Sequence, residues 1–305
     1  MKIIRDLHQA NIEGETALTI GAFDGLHLGH QELLRRLTRR AQQTQRLSGV
    51  VTFDPLPKAI LSPASNVICL TTIEDKAELL EQWGVDLLVI LPFTPELART
   101  SARDFVQTLC SYLHMTELWV GWNFALGYGR EGDVRMLKRL GKEMGFRVHV
   151  IAPVSSGEIA ISSTQIRNLL SLGNVSEAAA MLGRYYQVRA HAVSEIEHEG
   201  QPSLSSAHLK FIPHCALPAG GVYAAYALIR GRPYPAIVDT GFETTLADQG
   251  IKGRIYLLDF HADLQGEEIR VQFVERLHHQ PYPLDARTLR TQMEKDIAKV
   301  REVLL

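Results

Sequence analysis

Cysteine is scarce in this chain and poorly placed for cross-linking. Cys69, Cys110 and Cys215 are scattered, odd in number and form no CxxC pair. A disulfide framework and a cysteine-based zinc site are therefore excluded, and a reducing compartment is expected. No apolar run approaches the roughly 20 residues that a bilayer-spanning helix needs, so no membrane partner is expected. The opening stretch MKIIRDLHQANIEGE has neither the apolar core nor the small-residue cleavage site of a secretory leader, which predicts a cytoplasmic protein. An excess of one charge is also missing. The 32 Lys and Arg against 34 Asp and Glu leave a formal charge of −2, so no bulk cationic field exists to attract nucleic acid. Internal repeats and low-complexity segments are absent, which removes solenoids and disordered tails from consideration. What is present is an ordinary globular composition, 46% hydrophobic and 22% charged, over 305 residues. That length is about two domains.

The first half alternates strand-like and helix-like stretches. ALTIGAF (17–23), SGVVTFD (48–54), VDLLVILPF (85–93), ELWVGWNF (117–124) and FRVHVIAPV (146–154) read as buried strands. Between them lie amphipathic stretches. In HQELLRRLTRRAQQ, for example, Leu33, Leu34, Leu37 and Ala41 recur at helical spacing. The others are IEDKAELLEQW (73–83), SARDFVQTLCSYL (101–113) and VRMLKRLGKEMG (134–145). This order predicts an α/β domain with a parallel sheet covered on both faces. Residues 162–184 read as two short helices with a turn at Gly173-Asn174. Beyond them GVYAAYALIRG, RPYPAIVDTG, GRIYLLDF and EIRVQFVERL are strand-like and separated by turn residues without helices. A final helix has Asp285 as its N-cap and Leu289, Met293, Ile297 and Val300 or Val303 as its apolar stripe. The expected organisation is an α/β domain over 1–184 and a small, mostly β domain with a C-terminal helix over 185–305.

The chemistry concentrates in two places. Gly21-Ala-Phe-Asp-Gly-Leu-His-Leu-Gly-His30 follows a buried strand and opens a helix, which is where an open parallel sheet binds ligands. Gly21, Gly25 and Gly29 remove side chains where backbone approaches a ligand. His27 and His30 lie three apart, hence on one face of the helix start. A helix N-terminus carries unpaired N–H groups and partial positive charge. Two imidazoles above it suit the phosphates of a nucleoside triphosphate. Zinc ligation by the pair lacks a third ligand nearby. The second place is Ile161-Ser-Ser-Thr-Gln-Ile-Arg167. Ser162 or Ser163 is a good N-cap, and Arg167, one turn in, can fork onto phosphate oxygens.

This pair of motifs, HxGH and ISSTxxR, resembles the nucleotidylyltransferase superfamily. The closer resemblance is to the prokaryotic FAD synthetase family of bifunctional riboflavin kinase/FMN adenylyltransferases. It is carried by IGAFDGLHLGHQELL (20–34), VVTFDPLP (50–57), LTTIEDKAELLEQWGVDLLVILPF (70–93), VGWNFALGYGREGD (120–133) and ISSTQIRNLLSLGNVSEAAAMLGRYY (161–186), in the family's order. The resemblance implies a Rossmann-like nucleotidylyltransferase domain that binds ATP with Mg2+ and FMN and makes FAD and pyrophosphate. An FMN phosphate oxygen would attack the α-phosphorus directly. By the same resemblance His27, His30 and Arg167 hold the triphosphate, within a turn that includes Gly21, Phe23, Asp24 and Gly29. Ser162, Ser163 and Thr164 contact phosphate, Phe53, Pro55 and Pro57 border the flavin, and Asn123 orients FMN or its phosphate. The chain departs from the family at Leu56, where many members have His, and at Ala125 and Leu126, where many have a basic residue and Phe.

The second half resembles the family's small β-barrel riboflavin kinase through GGVYAAYALIRG (220–231), RIYLLDFHADLQGEEIRVQFVERL (254–277) and LRTQMEKDIAKVREVL (289–304). Such a kinase holds ATP phosphates and Mg2+ with a Pro-Thr-Ala-Asn run, which residues 194–218 lack. The family's catalytic Glu stands two residues before the position of Tyr256, and this chain has Arg254. The family's LRxE becomes Leu277-His-His-Gln280. The expectation is a working FMN adenylyltransferase with a kinase domain that has lost its activity. A bifunctional enzyme, a non-catalytic flavin or nucleotide binder, and a nucleotidylyltransferase for another phosphate remain alternatives. A homo-oligomer is left open. His278 and His279 with His261 read as a solvated barrel rim rather than a metal site.

Overall fold

The computed structural model describes residues 1–62, 68–156, 159–195, 204–241, 253–260, 262–282 and 285–305. By its contacts the chain divides into two compact units, Met1–Ser162 and Ser163–Leu305. The expected boundary at 184 follows the motifs, whereas the contacts divide the chain earlier. The helical pair after Ser162 packs with the strands that follow it.

In chain order the first unit comprises β1 (Lys2–Ile4), β2 (Thr16–Ile20), α1 (Leu28–Gln43), β3 (Leu47–Phe53), α2 (Pro57–Leu61), α3 (Ile73–Gln82), β4 (Leu87–Leu91), α4 (Pro95–Ala98), α5 (Ala102–Leu113), β5 (Met115–Gly121), β6 (Ala125–Leu126), β7 (Gly132–Asp133), α6 (Val134–Met144), β8 (Arg147–Ile151), β9 (Ser155–Ser156) and β10 (Ile159–Ala160). Six strands pair in parallel in the order β1-β4-β3-β2-β5-β8. β2 and β4 are buried along their whole length. That is the signature of strands covered on both faces. Alternation then splits the core in two. Leu18, Ile20, Val51, Leu87 and Val89 face α5 and α6. Ala17, Val50, Leu88 and Ile90 face α1 and α3. Leu34 and Leu37 of α1 and Leu80 of α3 complete the second layer, all fully buried. β1 was not anticipated, because three residues carry no periodicity.

The second unit comprises α7 (Ser163–Leu172), α8 (Val175–Leu182), β11 (Tyr186–Glu195), β12 (Leu204–Phe211), β13 (Val222–Ile229), β14 (Arg232–Asp239), β15 (Gly253–Leu258), β16 (Glu268–His278) and α9 (Ala286–Leu304). The six strands close into an antiparallel barrel in the order β11-β12-β15-β14-β13-β16. Two of them, β11 and β12, lie in the stretch from which no strand was read. Closure leaves no open edge for further pairing. Asp285 caps α9, accepting from the Thr288 N–H at 2.8 Å. Met293, Val300 and Leu304 then bury one stripe of α9 against Val222, Ala224, Ile237 and Tyr256 of the barrel wall.

All three tryptophans, Trp83, Trp119 and Trp122, lie in the first unit, so tryptophan fluorescence follows its unfolding alone. Replacing Leu34 by Ala removes a fully buried side chain between α1 and the sheet. We expect it to cost the first unit about 2–5 kcal/mol, read as a lower urea midpoint of the fluorescence transition.

Candidate functional site

The carboxyl end of β2 runs into a turn, residues 21–27, before α1 begins. The turn is tight enough to need left-handed backbone at Phe23 (φ 46°), Gly25 (φ 80°) and Leu26 (φ 38°). Such a conformation is costly outside glycine and persists only where the surroundings enforce it. Here they do. The Asp24 carboxylate is 2% exposed and accepts from the N–H groups of Leu70 at 2.8 Å and Thr71 at 3.1 Å. The Thr71 hydroxyl accepts in turn from the Gly25 N–H at 3.1 Å. From the α3 side the Lys76 ammonium donates to the Ala22 carbonyl at 2.7 Å and to the Thr52 hydroxyl at 3.2 Å. Thr52 itself donates to Ala22 O at 3.2 Å.

His27 occupies the N-cap position of α1 but makes no side-chain cap bond to the helix. Its ring stacks on that of His30, with centroids 3.7 Å apart and planes at 19°. The Phe23 ring lies tilted beside that of His30, with centroids 4.9 Å apart. Gly29 and Gly21 make this stack fit. A Cβ on Gly29 would meet the His27 ring at 3.1 Å, and one on Gly21 the Phe23 ring at 3.1 Å. These glycines thus make room for the turn's own rings. Burial, the neighbouring His27 and the Lys76 charge hold His30 well below the ordinary histidine range. A neutral imidazole donates from one nitrogen and accepts at the other.

Beside the turn opens a cavity of about 570 Å3, lined among others by Gly21, Ala22, Phe53, Pro57, Phe93 and Asn123. Its size and apolar walls suit a ring system. Phe53 and Phe93 meet edge-to-face at 5.4 Å within that wall. Leu126, one of the departures from the family, also lines it. Pro55 is exposed and not part of the lining. Asp24 is not part of the lining either, and its carboxylate holds the N–H groups of residues 70 and 71. Two glycines of LGYGREGD, Gly127 and Gly132, have a packing cause. A Cβ on Gly127 or Gly132 would fall 2.6 Å from atoms of Ala102. The 125–133 hairpin lies on the start of α5, where Glu131 accepts from the Ala102 N–H at 2.8 Å.

The ISSTxxR residues straddle the unit boundary. Ser162 closes the first unit, and α7 begins at Ser163, so Ser163, Thr164 and Arg167 share its opening turns in the second unit. Ser162 and Thr164 are exposed, and Arg167 is half-buried.

The barrel contains a distinct polar cluster. β12 and β15 pair with Ser206 opposite Tyr256 and His208 opposite Arg254. On the other side of β15, Asp239 of β14 stands opposite Arg254. Tyr256 is fully buried and Asp239 nearly so. Burial pushes the Asp239 carboxyl up, opposed by the N–H groups of Tyr282 and Gly241 and by the charges of Arg254 and His278. Burial and the Arg254 charge push His208 down. His278 is tied to α9. One ring nitrogen meets the Asp296 carboxylate at 3.0 Å and the other the Gln280 carbonyl at 2.9 Å. Tyr282 donates to the same Asp296 at 2.6 Å. His261 lies outside the described residues.

Lys76 and Thr52 escaped the sequence reading. The signal for Lys76 was there, because it sits three residues after Ile73 and four before Leu80, within the buried stripe of α3.

Comparison with known proteins places both halves. A family model for FAD synthetase matches residues 9–165, and one for riboflavin kinase matches residues 182–304. A bifunctional riboflavin kinase/FMN adenylyltransferase of Pseudomonas fluorescens is 31% identical, covering 99% of this chain and 97% of the relative. The protein of the same description from Escherichia coli K12 is 30% identical with the same coverage. That of Listeria monocytogenes is 29% identical, covering 92% and 89%. A solved structure from Streptococcus pneumoniae, described as a macrolide-efflux protein, superposes with a TM-score of 0.85 at 24% identity, covering 98% of this chain and 97% of that one. It establishes likeness of fold. Among the described residues no helix is long and apolar enough to cross a membrane.

Because the folded state depresses the His30 pKa, the unfolded chain binds the proton more readily. The stability this contributes is full above about pH 6.5 and is lost as pH falls below it. Urea unfolding followed by tryptophan fluorescence at pH 7.5 and pH 5 should therefore show a smaller pH difference for His30→Gln than for the parent.

Proposed function

Since the chain belongs to the family of bifunctional riboflavin kinase/FMN adenylyltransferases, we propose that it transfers AMP from ATP to FMN, giving FAD and pyrophosphate, and that its kinase site is closed. We assign the first activity to residues 1–184 and the degenerate kinase module to 185–305. The observation that carries the first half is the pinned turn over residues 21–30, with stacked His27 and His30 at the start of α1 and a cavity of about 570 Å3 alongside.

In this reading the triphosphate lies over the α1 N-terminus, where main-chain N–H groups and the two imidazoles donate to it. Gly29 lets the His27 ring stand over the helix start. Arg167, Ser162, Ser163 and Thr164 are assigned to phosphate binding by the ISSTxxR motif alone. The isoalloxazine ring occupies the cavity between Phe53 and Pro57, and Asn123 orients the FMN phosphate. One FMN phosphate oxygen attacks the α-phosphorus in line. The bond from that phosphorus to the bridging oxygen breaks, and pyrophosphate carries the electron pair away. His30, held neutral, adds a hydrogen bond without needing a proton from solvent. Mg2+, when bound, would neutralise charge on the departing pyrophosphate. Among the described residues no group of three or more His, Cys, Asp or Glu side chains is arranged to hold a metal.

For the kinase half the carrying observation is Arg254, at the place where the family keeps its catalytic Glu. It lies between Asp239 and His208 on neighbouring strands. A permanent cation there cannot take a proton from riboflavin, and it repels Mg2+ from the adjacent strands. The residues of this cluster do not fit the metal. Loss of a positioned base alone costs about 10²–10⁴ in rate. The competing reading, an enzyme with both activities, is favoured by the full-length match to bifunctional relatives.

Purified protein with Mg2+-ATP should convert FMN to FAD and leave riboflavin unchanged, as resolved by flavin chromatography. FMN or FAD formed from riboflavin would establish the bifunctional reading instead. Unchanged FMN would remove the adenylyltransferase assignment.

A further inference from the structure

Lys76 is 1% exposed. Burying an ammonium costs several kcal/mol unless partners compensate. Its partners here are the Ala22 carbonyl and the Thr52 hydroxyl, both neutral. An ammonium has three donors, and only these two acceptors are found among the described residues. The acidic groups that face it are Asp24 of the turn, Cys69 before α3 and Asp54 after β3, acting at longer range. Burial outweighs them and pulls the Lys76 ammonium below its ordinary range. His30 on α1 feels the same cation. A cost of this kind is maintained at functional positions.

The consequence of the Ala22 contact follows from peptide geometry. In a trans peptide the carbonyl and the following N–H point in opposite directions. Lys76 and Thr52 together draw the Ala22 carbonyl inward, beneath the turn. The N–H of Phe23 is therefore aimed the other way. It finds no protein acceptor among the described residues. Gly21 and Ala22, just before it, line the cavity. The left-handed backbone at Phe23 is the strain that this orientation entails.

We propose that Lys76 is a positioning residue for nucleotidyl transfer: from behind the turn it fixes the Ala22–Phe23 peptide so that the Phe23 N–H faces the anionic substrate. This rests on the adenylyltransferase reading for its kinetic consequence. The ligand class is a phosphate-bearing nucleotide. Thr52 acts as the second strut, accepting from Lys76 and donating to the same carbonyl.

Two variants separate the hydrogen bond from the charge. Lys76→Gln keeps a donor to Ala22 O and loses the charge, whereas Lys76→Met loses both. For variants with parental circular dichroism, we expect kcat for FAD formation to fall on the order of 10²-fold in Lys76→Met. The fall should be smaller in Lys76→Gln, and KM for ATP should change less than kcat in both. In 15N NMR the Phe23 amide should shift on adding ATP to the parent, by less in Lys76→Gln and least in Lys76→Met. A folded Lys76→Met enzyme with parental kcat, or one whose Phe23 amide answers ATP as the parent's does, overturns the proposal. If Lys76→Met does not fold, Lys76→Gln decides by the same two readouts. If the parent makes no FAD, the adenylyltransferase reading falls, and the Phe23 amide shift with ATP still decides whether Lys76 sets that peptide.

Discussion

The turn after β2 is held by two buried side chains of opposite charge, and the arrangement of the first unit's site follows from them. Asp24 grips the N–H groups of Leu70 and Thr71, and Lys76 grips the carbonyl of Ala22. Between those anchors the backbone can hold three left-handed residues in four positions. That in turn sets His27 on His30, with Phe23 tilted beside them, at the start of α1. Side chains so deeply buried are worth their desolvation only where they fix a geometry that apolar packing would leave loose. The parallel sheet supplies the rest, because its carboxyl edge collects the ends of β2, β3 and β5 around one cavity.

In the barrel, fold and chemistry rest on different residues. Its closure depends on the register of six strands and on the apolar stripe of α9. Neither requires a particular residue at 254. An arginine there is accommodated by Asp239 on one neighbouring strand and faces His208 on the other. Burial pushes the Asp239 carboxyl up, and the Arg254 charge opposes it. The ties among His278, Tyr282 and Asp296 then serve to fasten α9 to the wall.

Much of this was legible from residue order, for reasons that differ by element. The buried strands and amphipathic helices of the first unit announce themselves by period, so their existence and sequence are recovered within a few residues. The Asp285 cap and the turn at Gly173-Asn174 carry local chemistry and were legible as well. β1 was not, since three residues show no pattern, and β11 and β12 were missed because partners distant in sequence define them. The HxGH motif was plain, but the work of its glycines was not. Gly21 and Gly29 make room for aromatic rings that only the folded turn brings near. Lys76 had a signal in its place on the buried stripe of α3, but its partners Ala22 and Thr52 lie far away in sequence. Asp24 belonged to the right motif, but its carboxylate holds the backbone of residues 70 and 71.

The central claim is that one domain transfers nucleotide while the other has given up phosphate transfer. Which phosphorus of ATP enters the flavin pool tests it most directly. The protein would be supplied with FMN and riboflavin together, and with ATP labelled at either the α- or the γ-phosphorus. The account predicts that α-label appears in FAD and that no γ-label enters any flavin. Label from the γ-position in FMN would contradict it, because only a working kinase site can place it there.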